Sequence, residues 1–257
     1  MKPAFNKKKI NYLPSSKILK YSLIFVIFIF LSFFIHNELI NKAKFNNFIQ
    51  KFSKKYNYQF KIYEINNLSR VDKNEISNIF NKYKDQSIFL IPLSVISDSL
   101  HDLNWVKNVN LKTNLKDKIK VDILEYNPIG LFSFNNQIFY FSEEGKIIDK
   151  HHGNINNEFI IFYGNQALKN ANYLLKILNN LKNPELKKIT KAYYINERRW
   201  NIEFSNGILV NLSEKNIEDS IKNYIKLIKK LNESEIISIK SIDIRNNEKA
   251  IISFKND

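Results

Sequence analysis

The sequence predicts an α+β chain in three parts: an N-terminal transmembrane helix, a β-α-α-β-β domain, and a mixed β-sheet domain with two packing helices. Three observations lead there. Tyr21 to Ile35 reads YSLIFVIFIFLSFFI, with no charge. Strand-like alternation over residues 60–127 brackets two amphipathic helical patterns. From Pro128 onward, short alternating segments separated by Asn and Gly turns outnumber helical ones.

Residues 1–20 hold six Lys and no acid. The apolar run that follows spans roughly 22 Å as a helix, short of a hydrocarbon layer of about 30 Å. Ile18 and Leu19 extend it, and Lys17 and Lys20 can snorkel to the headgroups. A buried helix of a soluble domain would be amphipathic, and this one is apolar all round. A cleaved signal peptide would need a small-x-small site after the run, where HNELINKAKF stands instead. A signal anchor over 21–40 is therefore expected, with a basic tail over 1–20. The fifteen residues after the run hold two Lys and one Glu, so the positive-inside rule puts the N-terminus in the cytoplasm and 37–257 outside it.

Residues 41–59 form a juxtamembrane helix or linker, with Phe45, Phe48, Ile49 and Phe52 at helical spacing. A strand is expected at Phe60–Asn66. Asp72-x-x-Glu75 reads as a capping box, with Ile76, Ile79, Phe80 and Tyr83 on one helical face. Ile88–Ile91 reads as a short extended piece. Pro92 opens a second helix that turns Val95, Ile96, Leu100 and Leu103 inward. Val109 and Leu111, then Ile119, Val121 and Ile123, alternate as two strands around an NLKDK turn. This domain is assigned to 60–127.

Beyond it, 128–257, strands are expected at 130–134, 137–142 and 146–149, around Asn135-Asn136 and Glu144-Gly145 turns, and at Phe159–Tyr163. A helix over 166–181 precedes strands at 189–195, 200–204 and 208–212, the last pair joined by Ser205-Asn206-Gly207. A second helix covers 216–231. Strands at 238–244 and 250–254 close the chain around Arg245-Asn246-Asn247-Glu248-Lys249.

Composition narrows the function. The 257 residues carry 40 Lys+Arg against 25 Asp+Glu, which invites a nucleic-acid reading. Only four of those cations are Arg (Arg70, Arg198, Arg199, Arg245), the residue suited to bidentate recognition of bases and phosphates. The Lys excess reads as solvated surface plus a topology signal, and no nucleic-acid partner is expected. The absence of Cys removes disulfides, thiolate metal sites and Cys nucleophiles. No G-x-S-x-G, H-E-x-x-H, Walker or dinucleotide glycine pattern occurs, so no enzyme and no cofactor are expected. His151-His152 has no third ligand near it, and adjacent side chains point apart, so no metal site is expected.

The sequence LHDLNWVKNVNLKTNLKDKIKVDILEYNPIG resembles the POTRA domain of the FtsQ/DivIB family of bitopic bacterial cell-division proteins. The match lies in Leu103, Trp105-Val106, Val109, Leu111, Ile119, Val121, Glu125 and Pro128. Glu144-Gly145, Phe162-Tyr163-Gly164 and the terminal SIDIRNNEKAIISF, with Ile242-Asp243-Ile244-Arg245 at its centre, also resemble that family. The sequence departs from the family at Leu115-Lys116, where an aromatic-Pro pair is usual, at Asn104, where Pro is usual, and in the polar turn after Arg245. The resemblance implies a division-site scaffold of the inner membrane, its C-terminal domain periplasmic. It would be recruited through the POTRA domain and bind FtsB, within the FtsB–FtsL pair, through its last strand. Two alternatives stand beside it: a POTRA-containing envelope assembly or secretion component, and a membrane-anchored periplasmic hydrolase.

The partner-binding residues expected are Arg198, Arg245, Asn246, Glu248, Ala250, Ile251, Ile252, Ser253 and Phe254. An Arg kept in a Lys-rich chain suits bidentate pairing with a carboxylate, internal or on a partner. A terminal strand at a sheet edge offers free N–H and C=O groups to an added strand. Trp105 is expected in the core, and Glu125 with Tyr126 at the junction before Pro128.

Overall fold

The computed structural model describes residues 21–29, 42–66, 68–154, 158–246 and 248–255. The basic tail and residues 30–40 of the expected anchor lie outside the described residues. Residues 21–29 are helical, with every side chain exposed. Among the described residues no helix is long and apolar enough to cross a membrane.

The order β-α-α-β-β appears as expected. Helix α1 (Lys42–Tyr56) is followed by β1 (Ile62–Asn66), α2 (Lys73–Asn81), α3 (Leu93–His101), β2 (Val106–Thr113) and β3 (Lys118–Glu125). The three strands form one sheet in the order β1-β3-β2. Asp72 starts α2, its carboxylate accepting the amide of Asn74 at 2.8 Å. The β2–β3 turn is built by Asn114, whose Oδ1 accepts the amides of Lys116, Asp117 and Lys118. Residues 88–90 are a turn where extended chain was expected. Asp85 takes a left-handed backbone, φ 62, and only Ser87 pairs, in a single bridge with Gln59.

The chain gathers into two compact units. The first holds the described residues up to Glu64, with Phe80–Leu93 and Lys112–Lys120. Within it Phe80 packs against Phe60 and stacks on Tyr63, and α1 is fastened by polar side chains. The buried hydroxyls of Ser53 and Ser87 lie 2.7 Å apart. Gln50 donates to the Asp85 carbonyl and accepts the Ser87 amide.

The second unit holds Ile65–Ile79, Ser94–Leu111 and Val121–Asp257. Its main body runs β4 (Pro128–Phe134), β5 (Gln137–Ser142), β6 (Ile147–Lys150), β7 (Ile161–Tyr163), α4 (Ala167–Leu181), a 3-10 turn (Pro184–Lys188), β8 (Ile189–Ile195), β9 (Arg199–Phe204), β10 (Leu209–Asn211), α5 (Ile217–Ile228), α6 (Glu233–Ser238), β11 (Ile239–Asp243) and β12 (Ile251–Phe254). Nine strands form one mixed sheet, ordered β12-β11-β10-β9-β8-β7-β4-β5-β6. β7 is parallel to both β4 and β8, and β10 is parallel to β11. Parallel neighbours need a crossover, and α4 and α5 are those crossovers for β7–β8 and β10–β11.

Both helices bury their apolar faces in one cluster on the sheet. Ala171, Leu174 and Ile177 of α4, and Ile221 and Tyr224 of α5, meet Phe141, Phe162 and Trp200. The Phe162 ring stands edge-on to both Phe141 and Trp200, with centroids 5.4 and 5.6 Å away. Gly164 follows β7 at φ +106, and a Cβ there would run into the Tyr194 carbonyl oxygen. The Asn135-Asn136 turn has both residues at positive φ, 48 and 57, as a tight hairpin requires.

Besides the two expected helices there is a third, α6. Asn232 accepts the Glu235 amide, and the Glu235 carboxylate accepts the Asn232 amide, which closes a capping box. The helix takes Glu233–Ser238, so β11 begins at Ile239. β12 is shorter than Ala250–Phe254, leaving Ala250 exposed before the strand.

Candidate partner-binding site

β12 is an edge. Among the described residues it pairs on one side only, antiparallel to β11, with Asp243 opposite Ile251, Ile242 opposite Ile252 and Ser241 opposite Ser253. Amides alternate inward and outward along an antiparallel strand. The Lys255 amide donates inward, to the Ser238 carbonyl at 2.8 Å. By that alternation the Ile252 amide points to the open side. The Ile252 side chain packs against the core, while Ile251 is 67% exposed. Backbone is thus offered on one side while the strand is anchored on the other.

Beside this edge lies a cationic cleft of about 670 Å³. Arg198, Arg199, Arg245 and Lys215 line it, opposed by Glu214 and Glu248. β9 starts after a turn with Asn196 and Glu197 at positive φ, and this turn sets Arg198 at the rim. β11 ends at Asp243, and Arg245 folds back onto it. Its Nε lies 2.9 Å from both carboxylate oxygens and its Nη2 2.5 Å from Oδ2. The Arg245 guanidinium holds the Asp243 carboxyl below its ordinary range, against the opposing effect of burial. Arg198 is held more loosely, 3.8 Å from Glu214, with both side chains about half exposed. The Asn246 side chain shapes the following turn by accepting the Glu248 amide.

Of the residues expected to bind, Arg198, Arg245, Asn246 and Glu248 come together in this cleft, and Ile251–Phe254 form the edge beside it. The expected set omits Arg199, whose buried Nε has no hydrogen-bond partner among the described residues. A buried N–H without a partner is unusual. The paired arginines Arg198-Arg199 in a Lys-rich chain were the signal for it.

The other edge of the sheet is engaged by side chains. Asp149 of β6 accepts the Trp105 indole N–H at 2.8 Å and the Asn104 amide group at 3.1 Å. The Arg70 guanidinium lies 4.7 Å over the Trp105 ring, and Lys107 reaches Glu144 at 2.5 Å. Trp105 is buried as expected and also serves as a polar tie. Trp105→Phe keeps the ring but removes the donor from Asp149. It should cost about 1–2 kcal/mol in denaturant unfolding, against about 3–5 kcal/mol for Trp105→Ala.

Glu125 acts on a different segment from the one expected. Its carboxylate accepts the backbone amides of Ser69, Arg70 and Val71, each at 3.0 Å, and so fixes the loop before α2. Desolvation raises its pKa, but those amides and the Arg70 charge outweigh it and hold the pKa below the ordinary range. His151 Nδ1 lies 2.8 Å from the Tyr140 hydroxyl.

Residues 60–126 match the POTRA domain, FtsQ-type, and residues 133–245 match the C-terminal region of cell division protein FtsQ/DivIB. Cell division protein FtsQ of Rickettsia bellii (strain RML369-C) is 32% identical over 185 residues, 71% of this chain and 67% of that protein. That of Rickettsia felis is 26% identical over 249 residues, 96% of this chain and 91% of the relative. That of Vibrio cholerae serotype O1 is 27% identical over 158 residues, 60% of this chain and 58% of the relative. The chain belongs to the FtsQ/DivIB family and is a cell-division protein.

Proposed function

We propose that the protein is a single-span inner-membrane scaffold of the division machinery, anchored by 21–40, with its C-terminal domain in the periplasm. It captures an FtsB-like partner, within an FtsB–FtsL-like pair, by strand addition to β12. The observation that carries this reading is the one-sided pairing of β12 beside a cleft lined by three of the chain's four arginines. An extended segment added there would find backbone donors along the edge, and an acidic side chain on it would find the guanidinium groups. Residues 60–127 serve in recruitment by other division proteins, and 128–257 in partner capture. In this reading the protein supplies contacts and performs no chemistry.

The two guanidinium groups should respond differently to mutation. Arg245 is committed to Asp243, so its reversal also leaves that carboxylate unpaired. Among the described residues the Arg198 guanidinium has the loose contact with Glu214, which leaves it able to engage a partner. Arg198→Glu should weaken capture of the partner's periplasmic segment by about 1–3 kcal/mol, or roughly five- to 150-fold. The loss should shrink at high salt, where exposed charges are screened. A pull-down or calorimetric titration at two salt concentrations reads both. Undiminished binding by a folded Arg198→Glu protein would remove the cleft from the interface.

A further inference from the structure

Helix α1 leaves its aromatic stripe exposed. An amphipathic helix on a soluble domain turns its apolar stripe to the core. Here the face turned to the protein carries Gln50 and Ser53, fastened to Asp85 and Ser87 by hydrogen bonds, with Ile49 beside them. The exposed flank next to that face carries Phe45, Phe48, Phe52 and Tyr56, a continuous stripe at about 3.6 residues per turn. Phe48 is 64% exposed and the other three 42–51%. The stripe continues off the helix through Tyr58, stacked with Phe52, to Phe89, whose ring lies 5.5 Å from that of Tyr58. Lys44, Lys51 and Lys55 form a row along its far flank, and all three are exposed.

We propose that this aromatic face is a bilayer-docking surface: α1 lies in the headgroup layer of the membrane that holds the anchor. The inference rests on the anchor reading and adds a second contact with the lipid. Three features favour lipid as the occupant. A row of Lys beside large apolar side chains is the composition of interfacial helices, which bind anionic lipid by charge and burial together. Aromatic rings concentrate at headgroup depth. Finally, α1 begins seven residues after Ile35, a reach of at most about 25 Å, so its start is tethered close to where the apolar run ends. Docked this way, α1 fixes the height of the first compact unit above the bilayer, since Ser53 and Gln50 clamp the helix to it.

The 257-residue sequence has no Cys, so one introduced Cys is unique in it. Phe48→Cys, Asn47→Cys and Ile27→Cys would each be spin-labelled. The proteins would be reconstituted into vesicles of phosphatidylethanolamine and phosphatidylglycerol. Collision with oxygen, which partitions into lipid, is then compared with collision with an aqueous nickel chelate. The oxygen-to-nickel ratio at Phe48→Cys should exceed that at Asn47→Cys, an exposed position off the stripe, severalfold. Adding Lys51→Glu and Lys55→Glu should move the Phe48→Cys label toward water. A lipid-like Ile27→Cys with a water-like Phe48→Cys would overturn the docking and leave the anchor standing. A water-like Ile27→Cys would overturn the anchor and the docking with it. A Phe48→Cys label shielded from both reagents would mean that protein covers the stripe, and would also overturn the proposal.

Discussion

A folded Ile252→Pro variant loses capture of the partner's periplasmic segment by at least about tenfold, while Ile252→Ala retains most of it. The contrast follows from where the Ile252 amide points. Lys255 donates inward to Ser238, and alternation sets the Ile252 N–H on the open side. Proline removes that donor, worth about 1 kcal/mol, and its ring stands where an added strand must approach. Its pairing position opposite Ile242 requires no inward donor from residue 252. Alanine cuts packing against the core but keeps the amide. Circular dichroism and thermal unfolding establish that both variants fold, and titration with the partner segment gives the affinity ratio. Equal affinity for the two variants would move the interface off this edge.

Glu125→Ala should be among the most destabilising substitutions of a half-buried carboxylate in the chain, costing about 2–3 kcal/mol in chemical unfolding. Three backbone amides, those of Ser69, Arg70 and Val71, lose their acceptor together. The pH dependence follows from the sign of the shift. The native pKa of Glu125 lies below its unfolded value. Its stabilising contribution is therefore complete above the unfolded pKa of about 4.3 and declines as pH falls from there through the depressed native value. Wild-type protein should lose this increment on acidification, whereas Glu125→Ala, already without it, should show a shallower acid slope. Parallel slopes would show that the amides do not discriminate between the two protonation states.

The elements most legible in the sequence were those with their own local signature. Asp72 announced α2, Asn135-Asn136 and Ser205-Asn206-Gly207 announced their hairpins, and period-two alternation gave β3 and β9. Helix α6 has a signature too, the Asn232-to-Glu235 capping box. It buries no residue, so its six positions show no apolar period to find. The extended piece expected at Ile88–Ile91 failed for the opposite reason. Ile88 and Ile91 are buried, but after the left-handed Asp85 the chain makes a single bridge at Ser87 and then turns over residues 88–90 instead of extending into a ladder. The residues of the candidate cleft and edge stood out one by one, because Arg is rare against Lys and a terminal strand is suspect as an edge. Their assembly did not. Arg198 and Arg245 meet only because β9, β10 and β11 are neighbours, and the β10–β11 pairing is a parallel one made across α5.

β7 joins two pieces of sheet whose strands each follow one another in the chain. β4, β5 and β6 form one consecutive run, and β8 to β12 another. Among the described strands only Ile161–Tyr163 pairs with both, and Phe162 is set between Phe141 and Trp200. The hairpins can form early from nearby contacts, whereas β7 must find β4 and β8, each about 30 residues away, just as β10 must find β11. The seam also divides the sheet mechanically. The edge held by Trp105 and the edge open to a partner lie on opposite sides of a strand three residues long. A pulling force entering through a strand added at β12 would reach the Trp105 tie through those three residues, the aromatic stack behind them, and α4, whose Asn172 and Lys176 hold Glu143 on the β5–β6 turn.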